Sequence, residues 1–215
     1  VDYVCLTGGL LQRRGYPEVV ARWSRGATTA LAHKINQGFI AAIVTGSTVA
    51  GFIPPDVNGD DAASALLSGI HLAVVDAKYR NRMGFNSTLE VVLPWWALVP
   101  IRAGLARRAG IAMLDVSDAM ILDWFAQRGA VLRLVYDWQD ALTGLATGPG
   151  ASAPLLALPS TVQFLVYPAG TWVKAMQDVV SLDTIYDSTR LGTNEYTAIF
   201  VEDGWAALQM CPLSR

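Results

Sequence analysis

The chain has 215 residues, enough to bury a substantial core in one or two domains. With 53% hydrophobic residues, 16% charged residues and a formal net charge of -2, it carries no global basic field that would advertise nucleic-acid binding, so any contact with DNA has to be local. The apolar excess and the seven tryptophans point instead to surface hidden against copies of the same chain.

Residues 1–15, VDYVCLTGGLLQRRG, end in a basic, glycine-bounded turn at Arg13 and Arg14, and Tyr16-Pro17 then puts a proline in the first turn of a helix. From Glu18 to about Thr45 no further proline occurs. Val19, Val20, Trp23, Ala27, Ala30, Leu31, Ile35, Phe39, Ala42 and Ile43 recur at steps of three and four, as one face of a helix requires. The spacing predicts a spine helix of about 28 residues, roughly 40 Å long. If Trp23 and Phe39 are buried on it, truncating either to Ala costs on the order of 3 kcal/mol. Gly26 and Gly38 weaken the helix and permit close approach of a neighbour. The most apolar stretch, Phe39–Val44, is too short to cross a bilayer, and the sequence shows neither a signal peptide nor a membrane span.

After the turn-rich VTGSTVAGFIPPDVNGDD, a second helix is expected from about Asp61 to Asn81, capped by Asp60 or Asp61. Ser87 to Leu93 reads as a strand. Pro94 opens the helix PWWALVPIRAGLARRAG, which closes on Arg107, Arg108 and Gly110; Arg102, Arg107 and Arg108 suit a helix C-terminus by charge. Ser117 caps SDAMILDWFAQRG, which stops at Gly129, and Ala130 to Trp138 is a strand. Gly144 to Pro154 is a loop of small residues, and Thr161 to Tyr167 a strand facing the previous one in sequence. Phe164 to Cys211 then forms a β-rich closing stretch: a strand, a Tyr-Pro-Ala-Gly-Thr turn, a Val, Leu, Ile and Tyr run broken by single polar residues, and a final strand around Tyr196 to Val201. The fold class expected is α+β with mixed pairing, without internal repeats.

Chemistry-bearing residues are sparse. Cys5 and Cys211 lie near opposite ends without CxxC spacing or His partners, which favours buried free thiols over a metal or redox pair. His33 and His71 each stand alone in a helical pattern, and no GxSxG elbow accompanies them. Asp115, Asp118, Asp123, Asp137 and Asp140 raise the carboxylate-pair question, but Asp118 and Asp123 share a helical face poorly, and capping or solvated roles are favoured. Gly8-Gly9 and Gly148-Pro149-Gly150 lack the context of a phosphate cradle and read as turns. No catalytic, cofactor or metal residues are assigned. As interaction residues the sequence offers Arg13, Arg14, Arg107 and Arg108, for phosphate or a neighbouring subunit's carboxylates, and the aromatic Trp23 and Trp172.

The phrases YPEVVARWSRG (Tyr16–Gly26), DWFAQRG (Asp123–Gly129), LVYDWQ (Leu134–Gln139), YPAGTWVKA (Tyr167–Ala175) and EYTAIFVEDGWA (Glu195–Ala206), with a spine helix, an α+β middle and a β-rich return, resemble the major capsid proteins of tailed bacteriophages of the Hong Kong 97 type, in particular actinobacteriophage subunits. The resemblance spans nearly the entire chain. It implies a peripheral domain made of residues 1–58 and 172–215 and an axial domain of residues 59–171, with the 144–154 loop at a capsomer centre. It implies a self-assembling, non-enzymatic virion subunit without cofactor, forming hexamers and pentamers around double-stranded DNA. Scaffolding, portal or decoration proteins would be its partners, with no membrane involved and assembly in the host bacterial cytoplasm. Family members carry an N-terminal arm and an extended loop before the spine helix, where this chain has about fifteen residues; the expectation is therefore a core fragment of a longer subunit. Two alternatives stand beside it: an encapsulin-type compartment enclosing protein cargo, and a small α+β hydrolase or ligand-binding domain in which His33 or His71 would meet a Ser or Asp in a pocket.

Overall fold

A computed structural model describes residues 1–49, 51, 62–139, 158–159 and 161–211. In chain order the elements are β1 (Asp2–Gly9), α1 (Leu10–Gly15), α2 (Pro17–Gly46), α3 (Ala62–Arg80), β2 (Leu89–Pro94), α4 (Leu98–Ala109), α5 (Asp118–Ala126), β3 (Ala130–Val135), β4 (Leu165–Pro168), β5 (Trp172–Met176), β6 (Val180–Ile185), α6 (Ser188–Leu191), β7 (Glu195–Asp203) and β8 (Trp205–Gln209). Short 3-10 turns lie at Trp95–Ala97 and Met113–Asp115. The chain divides into two compact units, Val1–Ala42 with Val173–Leu208, and Ile43–Trp172 with Gln209–Arg215.

In the first unit β7 runs between β1 and β6, antiparallel to both. The inner face of this sheet carries Val4, Ile199 and Val201, packed against Leu31 and Ile35, which lie one helical turn apart on α2, and against Trp205. Pro17 occupies the first helical position, where its missing N–H costs nothing. Gly38 is the close approach anticipated from the sequence: a methyl group there would meet the Trp205 ring at 2.5 Å. Gly26 has nothing within 4 Å, so no approach is made there. Two expectations are corrected. Residues 2–9, read only as the lead-in to a basic turn, form strand β1, because Asp2, Val4 and Leu6 alternate with exposed Tyr3, Cys5 and Thr7. The last strand is β8 rather than Tyr196–Val201, since the chain turns at Gly204 after β7 and pairs back onto β5.

The second unit is built on β2, which pairs in parallel with β3 and antiparallel with β4. A strand flanked on both edges is largely apolar, and Leu89, Val91, Val92 and Leu93 are all buried, with half-buried Glu90 the exception. Leu67, Ile70, Val74 and Ala77 of α3, Ile101 of α4, and Ile121 and Phe125 of α5 close over Leu89, Val91 and Leu93. The local stops are those read from the sequence. Ser117 Oγ accepts from Met120 N, and Gly110 and Gly129 take left-handed φ of 65° and 69° after α4 and α5. Thr171 N and Oγ1 both donate to Pro168 O across the turn at Gly170 (φ 83°). Pro94 differs from expectation: it ends β2, and α4 begins four residues later with Pro100 in its first turn. The Gln139 amide donates to Gln163 O and accepts from Gln163 N, both at 2.7 Å. The expected caps at Asp60 and Asp61 and the loop Gly144–Pro154 fall outside the described residues.

Candidate functional site

The histidines sit on exposed faces of α2 and α3, in different units. Among the described residues the groove beside His71 is lined by no Ser, Asp or Glu, so neither the Ser nor the Asp that a hydrolytic site was expected to bring to the histidine stands there. Asp118 forms an ion pair with Arg102 in the first turn of α5, and Asp123 accepts from the Gln127 amide at 2.6 Å. These carboxylates are engaged separately rather than as an acid/base pair. Among the described residues no cluster of three or more His, Cys, Asp or Glu could hold a metal ion, and no helix is long and apolar enough to cross a membrane. Cys5 and Cys211 are exposed, contrary to the buried thiols expected: Cys5 takes an outward position on β1 and Cys211 lies beyond β8.

The six interaction residues are divided between the two units. Arg13 donates from Nη1 to the Tyr186 hydroxyl at 2.6 Å and lies 5.1 Å from the centre of the buried Tyr196 ring, an arrangement that ties α1 to the end of β6 and the start of β7. Arg14 is exposed beside it. Trp23 is 45% exposed, so the condition of burial attached to its stability cost is not met. In the second unit Arg107 and Arg108 occupy the last turn of α4, exposed, where they complement the helix dipole. Trp172 is half-buried; its ring lies against Gly46 so closely that a methyl at 46 could not fit, and its indole N–H is buried without a partner.

Sequence reasoning missed the outer face of the three-stranded sheet. Register places Tyr3, Glu202 and Val180 in one row across the strands and Cys5, Phe200 and Leu182 in the next. Tyr3 stacks on Phe200 with ring centres 6.1 Å apart, and Tyr3, Cys5, Val180 and Leu182 are exposed. Both outer strands, β1 and β6, present an open edge among the described residues. The period-two pattern of residues 2–7 was the signal available for β1; nothing local distinguishes an apolar face that is covered from one that is not.

The inner face is fastened at its corner. Asp2 accepts from Lys34 Nζ and Trp205 Nε1, each at 2.8 Å. These two bonds hold the Asp2 carboxyl below the usual carboxylate range, and the same contact raises the Lys34 ammonium. In the second unit burial, reinforced by the Glu90 charge, pushes the Tyr167 hydroxyl up to about 12.

No protein-family model and no curated protein matches this chain in sequence. Solved structures do resemble it. A chain of Mycobacterium phage Che8 aligns with a TM-score of 0.63 and 13% identity over 99% of this chain and 67% of that one. The capsid of cyanophage P-SCSP1u aligns with a TM-score of 0.54 and 13% identity over 99% and 70%. The virus-like particle from Pyrococcus furiosus aligns with a TM-score of 0.53 and 9% identity over 99% and 74%. What is shared at such identities is the fold, an α+β phage capsid fold.

Proposed function

We propose that this chain, which has the fold of phage capsid proteins, is a non-enzymatic structural subunit of an icosahedral bacteriophage shell, assembling into hexamers and pentamers around double-stranded DNA. The observation that carries the reading is the alignment of 99% of the chain with capsid structures. The surface supports it: a sheet with an apolar outer face and two open edges suits a protein that completes its burial against copies of itself. In this reading residues 1–58 and 172–215, with α2 and the β1-β7-β6 sheet, are the peripheral domain and residues 59–171, with β2, the axial domain. Exposed Arg14, Trp23, Arg107 and Arg108 lie on the surface that would face neighbouring subunits or scaffolding, portal and decoration proteins, and the location is the virion, after assembly in the host bacterial cytoplasm.

The test is negative-stain electron microscopy with mass determination of the purified chain at high concentration. Rings, sheets or closed shells are expected. A monomer at every concentration, unchanged by substitutions on the sheet face, overturns the reading. The likeness to the Pyrococcus furiosus particle favours a second reading, an encapsulin-type compartment around protein cargo. Shells recovered from cells that hold protein and no DNA decide for it.

A further inference from the structure

The C-terminal half of α3, the turn that follows it and the end of α5 border an open groove of about 870 Å³ in the second unit. Its charged walls are basic: His71, Lys78 and Arg128 line it, and among the described residues no carboxylate does. The acids nearest in sequence are occupied elsewhere, Asp76 by Arg80 at 2.7 Å and Asp123 by Gln127. Lys78 is held at the floor by donating from Nζ to Phe85 O at 3.3 Å, against Gly129. Arg128 is held by donating from Nη1 to Trp124 O at 2.9 Å, with its guanidinium 3.9 Å from the centre of the Trp124 ring. Both cations are thus positioned by neutral partners, and among the described residues neither is neutralised by a carboxylate.

Beside these charges two aromatic rings stand in solvent. Phe85 is 94% exposed and Tyr79 is 73% exposed, with the Arg82 guanidinium 5.3 Å from the centre of the Tyr79 ring. An acidic peptide would satisfy the cations and leave the rings unused. A nucleic-acid duplex offers phosphates but keeps its base faces stacked on one another. A single strand offers both a phosphate backbone and free base faces, and the pairing of fixed cations with exposed rings is the chemistry by which such strands are held.

We propose that this groove binds single-stranded nucleic acid, with phosphates on Lys78 and Arg128 and a base stacked on Phe85. The net charge of -2 does not oppose it, because the field that matters is local to the groove. The inference goes beyond the shell reading and requires no assembly.

The experiment is fluorescence anisotropy of the full chain with a labelled oligothymidylate of about 20 nucleotides, a duplex of equal length and a polyglutamate peptide. Expected is binding of the single strand that weakens roughly sevenfold between 50 and 200 mM salt, as for two phosphate contacts on a single strand. Phe85→Ala, at a position too exposed to disturb the fold, is expected to weaken the single strand at least fivefold and leave the duplex unchanged. Lys78→Gln with Arg128→Gln is expected to flatten the salt dependence at an unchanged melting temperature. No binding by the unaltered chain, equal binding of polyglutamate, or indifference of the single strand to Phe85→Ala overturns the proposal. Shell formation is scored in the same samples, so loss of binding with intact shells, and binding without shells, separate this inference from the assembly reading.

Discussion

The two units answer the hydrophobic effect differently. Among the described residues the unit built on β2 gathers fifteen buried apolar residues into one cluster, drawn from three helices, three strands and the turn before α5. Among the described residues the unit built on β7 clusters only Leu31, Ile35 and Val201 beneath a sheet whose other face leaves Tyr3, Val180 and Leu182 exposed, with Ile40 and Tyr196 buried outside that cluster. A core in which three helices close over Leu89, Val91 and Leu93 of a central strand satisfies itself within one chain. A three-stranded sheet covered by one helix cannot, and its surplus apolar area is what a partner would remove from water. Intrinsic stability is therefore expected to reside in the β2 unit, and dependence on association in the β7 unit.

The strongest way to break this contrast is Phe125→Ala. Its ring is 1% exposed at the centre of the larger cluster, so truncation is expected to cost about 3–5 kcal/mol in urea denaturation. A cost below about 1 kcal/mol would deny that this core is tightly packed. Next comes Gly38→Ala. Alanine favours a helix over glycine by about 1 kcal/mol, and Gly26→Ala, with open space around it, is expected to show that gain. At position 38 the methyl meets a Trp205 ring that its hydrogen bond to Asp2 keeps from swinging aside, so a net loss of about 1–3 kcal/mol is expected, with relief in the Trp205→Leu background.

Hydrogen exchange followed region by region against pH sharpens the comparison further. The Asp2 carboxyl is lowered from 3.8, so its contribution is complete above that value and is lost as pH falls through its depressed folded value; protection around β1 is expected to fade in acid, and Asp2→Asn to abolish the dependence. The Tyr167 hydroxyl is raised from 10.0 to about 12, so its contribution is complete below 10.0 and disappears as pH rises through about 12. Lys34, raised from 10.5, adds an alkaline loss in the β7 unit. Tyr167→Phe is therefore the variant that isolates the β2 unit, and an unchanged alkaline profile there would remove the tyrosine from the account. The smallest effect is expected of Trp23→Ala, within about 0.5 kcal/mol in the unassembled chain because the ring is largely in solvent.

The parts legible in the sequence were those specified locally. Pro17 at the start of α2, Ser117 before α5, Gly110 and Gly129 after their helices and the turn at Gly170 are each fixed by the residue's own backbone or capping chemistry, and each lies where its type requires. Strand order was not local. The runs now seen as β3 and β4 follow one another in sequence, yet both pair with β2, and only tertiary packing decides which of three apolar strands takes the centre. The surface was the least legible part. Trp23 fits the apolar period of α2 as well as Leu31 does, and Cys5 sits in an alternating run as a core residue would; what separates them is whether another element arrives to cover that face. The basic groove beside α3 escaped notice because Lys78 and Arg128 are fifty residues apart and meet only through the β2–β3 pairing.

One property of the β1-β7-β6 sheet reaches past the single chain. Because both outer strands run antiparallel to β7, they run parallel to each other, and the two free edges differ in sequence and in position along the sheet. A joint between like edges, β1 to β1, would be isologous: it obeys a two-fold axis, consumes the edge on both sides and stops at a pair. A joint between unlike edges, β1 to β6, would be heterologous and leave one edge of each kind free at its ends, so that it repeats. The rotation built into each repeat would then decide between a closed ring and an open filament.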